Sequence, residues 1–260
     1  MFFINRKNEL RSLDNQYIRE DSSFVILYGR RRLGKTALIH QFLNLYPNTF
    51  YYMADKEHEY FQINKLKNIF LPGFDDEYLE SIGFDSWDQI FDYIIRKADF
   101  SKKLVLAIDE FQNLALVNDA FISAFQRIWD TKLKDKNIML ILCGSHVSMM
   151  YSTTLAYNSP LYGRRTADIK LQTISFKDWQ EFFPKGTSRQ NLVEYYAITS
   201  GIPKYIELLN RKLKPLTNIE KFVLDKDGFF YTEPRFLLSQ EINDPTNYFS
   251  ILRIIAAGEH

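Results

Sequence analysis

The chain carries the octapeptide Gly29-Arg30-Arg31-Arg32-Leu33-Gly34-Lys35-Thr36. It fits the pattern G-x-x-x-x-G-K-[ST] of a phosphate-binding loop, the P-loop. In such a loop the backbone N–H groups surround phosphate oxygens, and the following helix adds the positive end of its dipole. We therefore predict phosphate contacts from the octapeptide and from Ala37, which follows it. Lys35 is expected to reach the outer phosphates of a nucleotide and Thr36 to hold Mg²⁺.

The residues around the loop have the context that this motif requires. Residues 24–28 form a short apolar and aromatic run typical of a buried strand. Residues 37–43 carry apolar side chains at helical spacing. Strand, glycine loop and helix in this order favour a P-loop over the alternative, a glycine turn with a solvated basic tip.

The loop also carries Arg30, Arg31 and Arg32, and two interpretations of them stay open. Their backbones would surround the phosphates, so their side chains are expected mostly to point away from them. They are either solvated charges that attract ATP at long range, or contacts to a partner or a second domain.

A second nucleotide-binding motif lies at residues 104–110. Five apolar residues are followed by Asp109 and Glu110, as in a strand buried in a parallel sheet that ends at a ligand-binding edge. Asp109 is predicted to orient Mg²⁺, and Glu110 to polarise the attacking water as a base. The alternative is a strand that runs into an acidic turn. A second acid after the first suits hydrolysis, and because residues 64–67 lack the Asp of a guanine-reading Asn-Lys-x-Asp, ATP is favoured over GTP.

A third apolar run, residues 138–143, ends in Gly144, Ser145 and His146. Ser145 is either a side chain that senses the γ-phosphate or part of an ordinary Gly-Ser turn, and both interpretations stay open. We interpret His146 as a loop histidine.

Composition limits the function classes. Among 260 residues, 46% are hydrophobic and 25% charged, and the net charge of +1 gives no overall basic footprint for nucleic acid. Cys143 is the single cysteine, so no intrachain disulfide forms and a reducing cytoplasm is expected. No apolar run approaches the length of a membrane span, so we predict no membrane contact.

Strand and helix patterns alternate as far as residue 174 and then give way to helices alone. The fold prediction is an α/β protein with a parallel sheet sandwiched by helices. We expect a P-loop core at 1–174, a small helical domain at 175–230 and a separate segment at 231–260. Within the core, Ser86 is predicted to cap a helix, and residues 71–76 to form a loop.

Together these residues resemble the prokaryotic archaeal-type ATPase family, an AAA+-like P-loop group of the ASCE class placed with the STAND NTPases. The chain opens with Phe3-Ile4-Asn5-Arg6-Lys7-Asn8-Glu9-Leu10, similar to the family's F-x-[GN]-R-x-x-E-L. The resemblance implies that Ile4 and Arg6 lie near the adenine. It also implies a helical lid after the core.

Three further segments are similar to family patterns. Arg164 ends Ser159-Pro160-Leu161-Tyr162-Gly163-Arg164, and the resemblance makes it a candidate to reach phosphate; a structural arginine beside the fifth strand is the alternative. Pro203 stands in a Gly-x-Pro that implies a lid position next to the nucleotide. Residues 233–256 look like the start of a winged helix, whose remainder would lie beyond residue 260.

The resemblance implies a switch that binds ATP or ADP with Mg²⁺ and hydrolyses ATP slowly, the phosphate state setting the lid angle. The alternative function is a DNA-associated ATPase related to origin-recognition ATPases. Either a protein partner or DNA would bind through the C-terminal region, and the oligomeric state is not predicted. Intact Lys35, Asp109 and Glu110 argue against a third possibility, a nucleotide-binding scaffold without hydrolysis.

Overall fold

A computed structural model describes residues 3–74, 82–242 and 244–258. The chain divides into two compact units, with Gln172 in the first and Thr173 beginning the second. The predicted subdivision of the second unit at residue 230 stays a prediction.

The first unit is built on a five-stranded sheet in which each strand pairs in parallel with its neighbours. The strands are β1 Ser23–Tyr28, β2 Thr49–Met53, β3 Leu104–Asp109, β4 Ile138–Gly144 and β5 Ala167–Lys170. Their spatial order is β2-β3-β4-β1-β5. The predicted parallel sheet is therefore confirmed.

Continuous apolar runs form the central strands because both faces of the sheet are covered. Every residue of β3 and β4 is buried. Along β1 the side chains alternate: Phe24 and Ile26 belong to the large core cluster, while Val25 and Leu27 are buried outside it. Burial of their apolar surface stabilises the unit by about 25 cal/mol per Å².

Helices supply both covering layers. They are α1 Lys7–Tyr17, α2 Lys35–Leu43, α3 Glu59–Phe74, α4 Trp87–Lys97, α5 Gln112–Val117, α6 Phe121–Ile128 and α7 Val147–Met150. A π-helical turn, Trp129–Leu133, continues α6. Ser86 caps α4 by accepting a hydrogen bond from the Gln89 backbone N–H, which confirms the predicted cap.

The prediction of a loop at residues 71–76 is wrong for residues 71–74, which complete α3 with Pro72 inside the helix; residues 75 and 76 lie outside the described residues. A proline removes one helical hydrogen bond. Aromatic packing offsets that cost, because the Phe74 ring lies 5.1 Å from Phe70 and 5.9 Å from Phe50.

In its described residues the second unit contains helices, turns and loops but no strand. Its helices are α8 Phe176–Trp179, α9 Arg189–Thr199, α10 Pro203–Leu208, α11 Pro215–Asn218, α12 Phe229–Glu241 and α13 Thr246–Ala256. The rings of Trp179 and Tyr196 pack edge to face in its core. No residue of α13 is buried, and its predicted place in a winged helix stays a prediction.

No helix within the described ranges combines the length and apolar character that a membrane crossing needs.

Candidate functional site

The strand order brings the three predicted motifs to one edge of the sheet. Parallel strands share the edge at which they end, and β4 lies between β1 and β3. The octapeptide follows β1, and Ser145 follows β4. Asp109 is the last residue of β3, and Glu110 comes directly after it. Ser145 therefore lies between the loop and the two carboxylates.

Local backbone geometry shapes the loop. Gly29 has φ 156°, and a Cβ there would lie 2.6 Å from the Leu171 carbonyl oxygen, so only glycine fits. Gly34 has φ 86° and caps α2, and Arg32 has φ 70°. The glycines and one left-handed arginine thus turn the chain sharply into the N-terminus of α2, where unpaired N–H groups favour anions.

Lys35 is folded back on the loop. Its Nζ donates hydrogen bonds to the carbonyl oxygens of Gly29 at 2.8 Å and Arg30 at 2.9 Å. The side chain is buried, and this burial lowers the pKa of Lys35. A buried ammonium inside a loop of this shape is placed to bind phosphate oxygens.

Thr36 and Asp109 join the loop to the end of β3. The Thr36 hydroxyl donates to Asp109 Oδ2 at 2.7 Å, and the Asp109 side chain is almost completely buried. The Tyr51 hydroxyl donates to the same Oδ2 at 3.0 Å, and the Glu110 backbone N–H donates to Oδ1 at 2.9 Å. Burial, followed by the neighbouring Asp109 carboxylate, raises the pKa of the Tyr51 phenol, which keeps it a donor.

Glu110 is held by two side chains. The Glu110 backbone has φ 51°. The Glu110 Oε2 atom accepts hydrogen bonds from Ser145 Oγ at 2.8 Å and from Gln112 Nε2. Arg31 Nε donates in turn to Ser145 Oγ at 3.4 Å. The loop, the β4 tip and the β3 end are thus connected through one chain of polar side chains.

Gln112 was not among the predicted site residues. It is buried, and its Oε1 has no hydrogen-bond partner among the described residues. A Cβ at Gly144 would collide with this oxygen and with Met150. Tyr51 was also missed. Only the tertiary pairing of β2 with β3 brings it to Asp109, so no local pattern could have identified it.

Arg6 and Ile4 belong to the segment that enters α1. Arg6 has φ 72° and is buried, with its guanidinium donating to the Leu33 carbonyl oxygen at 3.0 Å and to Glu9 at 3.1 Å. Burial lowers the pKa of Arg6. Ile4 is half-buried. The segment is thereby fixed to the P-loop, and its position over an adenine stays a prediction.

Arg164 lies at the other edge of the sheet. It precedes β5, and its guanidinium makes two hydrogen bonds to Asp130, at 2.8 and 2.6 Å, in the turn that leads to β4. It also donates to the Pro160 carbonyl at 2.6 Å. The structure therefore does not bring Arg164 to the P-loop of its own chain, and a contact with phosphate stays a prediction.

The remaining predicted residues have local roles. Pro203 begins α10 in the second unit, and its position relative to a nucleotide stays a prediction. The ring of His146 caps α7 by accepting from the Met149 backbone N–H. Cys143 is buried in β4, as expected for a small apolar side chain.

The donor set fits a hydrated Mg²⁺ bound together with phosphates. In residues 3–74, 82–242 and 244–258, no three His, Cys, Asp or Glu side chains are arranged to hold a metal ion by themselves. Mg²⁺ usually keeps several waters and takes one or two protein oxygens beside substrate phosphates. The Thr36 hydroxyl and the Asp109 carboxylate are oxygens of this kind, next to the N-terminus of α2, where anions are favoured.

Curated relatives come from one archaeon. An uncharacterized protein of Methanocaldococcus jannaschii is 35% identical over 258 residues, covering 99% of this chain and 55% of the relative. An uncharacterized ATP-binding protein of the same organism is 49% identical over 43 residues, covering 16% of this chain and 73% of the relative. The chain thus spans about half the length of the longer relative.

Solved structures share the fold at low sequence identity. The Walker-type ATPase of Pyrococcus abyssi has a TM-score of 0.63 at 19% identity, covering 96% of this chain and 76% of that one. The ORC1 protein of Aeropyrum pernix in complex with DNA has a TM-score of 0.57 at 14% identity, covering 81% and 59%. These neighbours establish a P-loop ATPase fold.

Residues 3–209 match the family described as an ATPase domain predominantly from Archaea. That range spans the loop, both carboxylates and Ser145, which the structure gathers at one sheet edge. The chain therefore belongs to this archaeal-type ATPase family.

Proposed function

We propose that the chain binds ATP as its Mg²⁺ complex and hydrolyses it to ADP and phosphate at the edge formed by β1, β4 and β3. The observation that carries the proposal is the 2.7 Å contact between Thr36 Oγ1 and Asp109 Oδ2. It joins a phosphate-binding loop to the acid that would orient the metal through its waters. When bound, Mg²⁺ would neutralise charge on the phosphates.

Each side chain then has a defined task. Residues 29–37 surround the phosphates through their N–H groups, and Lys35 leaves its two carbonyl partners to bind phosphate oxygens. Thr36 and Asp109 hold the metal site. Glu110, next to Asp109 in sequence, orients and deprotonates the attacking water as a general base.

A finer proposal is that hydrolysis works as a molecular switch of the STAND kind. Ser145 contacts Glu110 and also Arg31 of the loop. A group placed between both halves of the site is suited to distinguish ATP from ADP. Pro203 and the second unit would respond to that difference. A protein partner would accelerate ATP turnover. A cytoplasmic location fits the single cysteine, Cys143, which is buried.

The test is phosphate release by the purified chain, with ATP and GTP compared in Mg²⁺ and in excess EDTA. We expect slow release that needs both ATP and Mg²⁺. Nucleotide content released on denaturation measures how tightly the product is held. Failure to bind ATP in a calorimetric titration would remove the proposal altogether.

Two neighbours favour a second candidate function, a DNA-associated ATPase. The ORC1 protein of Aeropyrum pernix is bound to DNA, and so is the Drosophila ORC, which has a TM-score of 0.57 at 14% identity. In this chain the basic residues nearest to such a role are interleaved with acids. They are Arg211, Lys212, Lys214, Lys221 and Lys226.

Fluorescence anisotropy of labelled duplex DNA tests this second function. Binding that weakens steeply between about 50 and 200 mM salt indicates phosphate contacts. Stimulation of phosphate release by the same duplex would favour the DNA-associated ATPase. If the duplex neither binds nor stimulates phosphate release, the molecular switch is left as the function of these residues.

A further inference from the structure

We propose that Tyr51 is a positioning residue for the metal site, holding the Asp109 carboxylate in the orientation that Mg²⁺ requires. The inference rests on the proposed function and deepens it. It starts from the contact between the Tyr51 hydroxyl and Asp109 Oδ2 at 3.0 Å, which joins β2 to the end of β3.

Strand register explains why a tyrosine makes this contact. Tyr51 pairs with Ala107, and Asp109 pairs with Met53, so the phenol reaches diagonally along the sheet to the carboxylate. Because Ala107 and Asp109 are two residues apart on β3, their side chains lie on the same face of the sheet as Tyr51, and the long phenol spans the diagonal. The next residue, Tyr52, donates instead to Gln62, so the two tyrosines serve different networks.

The Tyr51 ring is held from a second side. The imidazole of His40, on α2, packs on it with ring centroids 4.4 Å apart. Because α2 begins with Lys35 and Thr36, one helix supplies both the metal-site hydroxyl and the ring that packs on Tyr51. The Tyr51 side chain is therefore held by Asp109 at the end of β3 and by His40 on α2.

The hydrogen bonds of Asp109 show what Tyr51 contributes. Oδ2 accepts from both Thr36 and Tyr51, whereas Oδ1 accepts from the Glu110 backbone. Once the Thr36 hydroxyl oxygen serves a metal ion, Tyr51 still holds Oδ2. Groups that orient metal-site carboxylates in this way commonly change metal affinity by 10–100-fold when removed.

The test compares ATP affinity in excess EDTA with ATP affinity in Mg²⁺, by calorimetry, for the wild type and for Tyr51→Phe. The dissociation constant of ATP in EDTA, divided by that in Mg²⁺, reports the metal site. The dissociation constant in EDTA reports the loop alone. We expect Tyr51→Phe to lower the ratio about tenfold and to leave the EDTA value within about twofold. Higher Mg²⁺ should restore tight binding.

Tyr46→Phe is the matched control. It also removes a tyrosine hydrogen bond to an aspartate, here Asp14 at 2.9 Å on α1, and should leave the ratio unchanged. A Tyr51→Phe ratio equal to or above that of the wild type overturns the proposal, and so does an equal loss of affinity in both solutions. A wild-type ratio of one would instead overturn the metal site itself, so the two failures are distinguishable.

Discussion

Ser145 Oγ donates a hydrogen bond to Glu110 Oε2 over 2.8 Å, and the same oxygen accepts from Arg31 Nε at 3.4 Å. One hydroxyl thus contacts both the P-loop and the candidate base. Ser145 is buried, so its contacts change only when a neighbour moves or a ligand replaces one. Because of these two contacts, the proposal that Ser145 senses the γ-phosphate can be tested against the alternative of an ordinary Gly-Ser turn.

We predict that Ser145→Ala lowers the rate of ATP hydrolysis about tenfold and reduces the preference for ATP over ADP. The reason is that Glu110 loses a donor that orients it, at a cost of about 1–3 kcal/mol. Single-turnover phosphate release gives the rate. Calorimetry with ADP and a non-hydrolysable ATP analogue gives the preference.

Ser148→Ala is the control for that variant. Ser148 is exposed and its hydroxyl contacts His146 rather than Glu110, so both quantities should stay at wild-type values. A Ser145→Ala protein with unchanged rate and preference would return Ser145 to the status of a turn residue.

Lys35→Ala should abolish tight ATP binding. The buried ammonium makes charge-assisted hydrogen bonds to phosphate oxygens in the proposed complex, and its loss costs about tenfold to hundredfold in affinity. Lys102→Ala, which changes an exposed lysine before β3 at the other edge of the sheet, should bind ATP like the wild type. Calorimetric titration with ATP measures both, and equal affinities would contradict the loop as the ATP site.

Glu110→Gln should keep ATP affinity and lose hydrolysis by about 10²–10⁴-fold, because an amide cannot accept the proton of the attacking water. The variant still offers an oxygen to Ser145 and Gln112, so the fold is retained. Glu20→Gln, which changes an exposed residue before β1, serves as the control. Hydrolysis that survives in Glu110→Gln would require another base.

The sequence predicted the parts of the site that depend on local pattern. The loop, the two carboxylates at the end of β3 and the polar tip of β4 each follow an apolar run, and parallel strands end at one shared edge. The strand order was not predictable, because it depends on which runs pair across long separations. It is this order that places Ser145 between Glu110 and Arg31.

Other features could not be predicted because tertiary packing overrides local preference. Pro72 is a helix breaker by propensity, yet packing of Phe74 keeps residues 71–74 helical. Tyr51 has no motif of its own, and only the register of β2 on β3 brings it to Asp109. Arg164 lies in a segment similar to the family pattern, but its partner Asp130 comes from a distant turn.

Arg164→Ala should reduce the free energy of unfolding by about 1–2 kcal/mol at neutral pH. It removes a two-bond ion pair whose partners expose 25% and 33% of their side chains, so solvent screening weakens but does not cancel it. Denaturant titration measures the change. Arg165→Ala, which breaks a more exposed pair with Asp168, should stay within about 0.5 kcal/mol of wild type.

The pH dependence of this difference identifies its source. The hydrogen bond from Arg164 lowers the pKa of Asp130 in the folded chain below its ordinary value of about 4. A lowered folded pKa contributes stability that is present above the unfolded pKa and lost as pH falls through the folded one. The gap between wild type and Arg164→Ala should therefore be constant from pH 7 to about 5 and shrink below about 4, leaving the part due to the carbonyl contacts. If Arg164→Ala leaves stability unchanged but abolishes hydrolysis, Arg164 would instead act by contacting the phosphates, as the family resemblance implies.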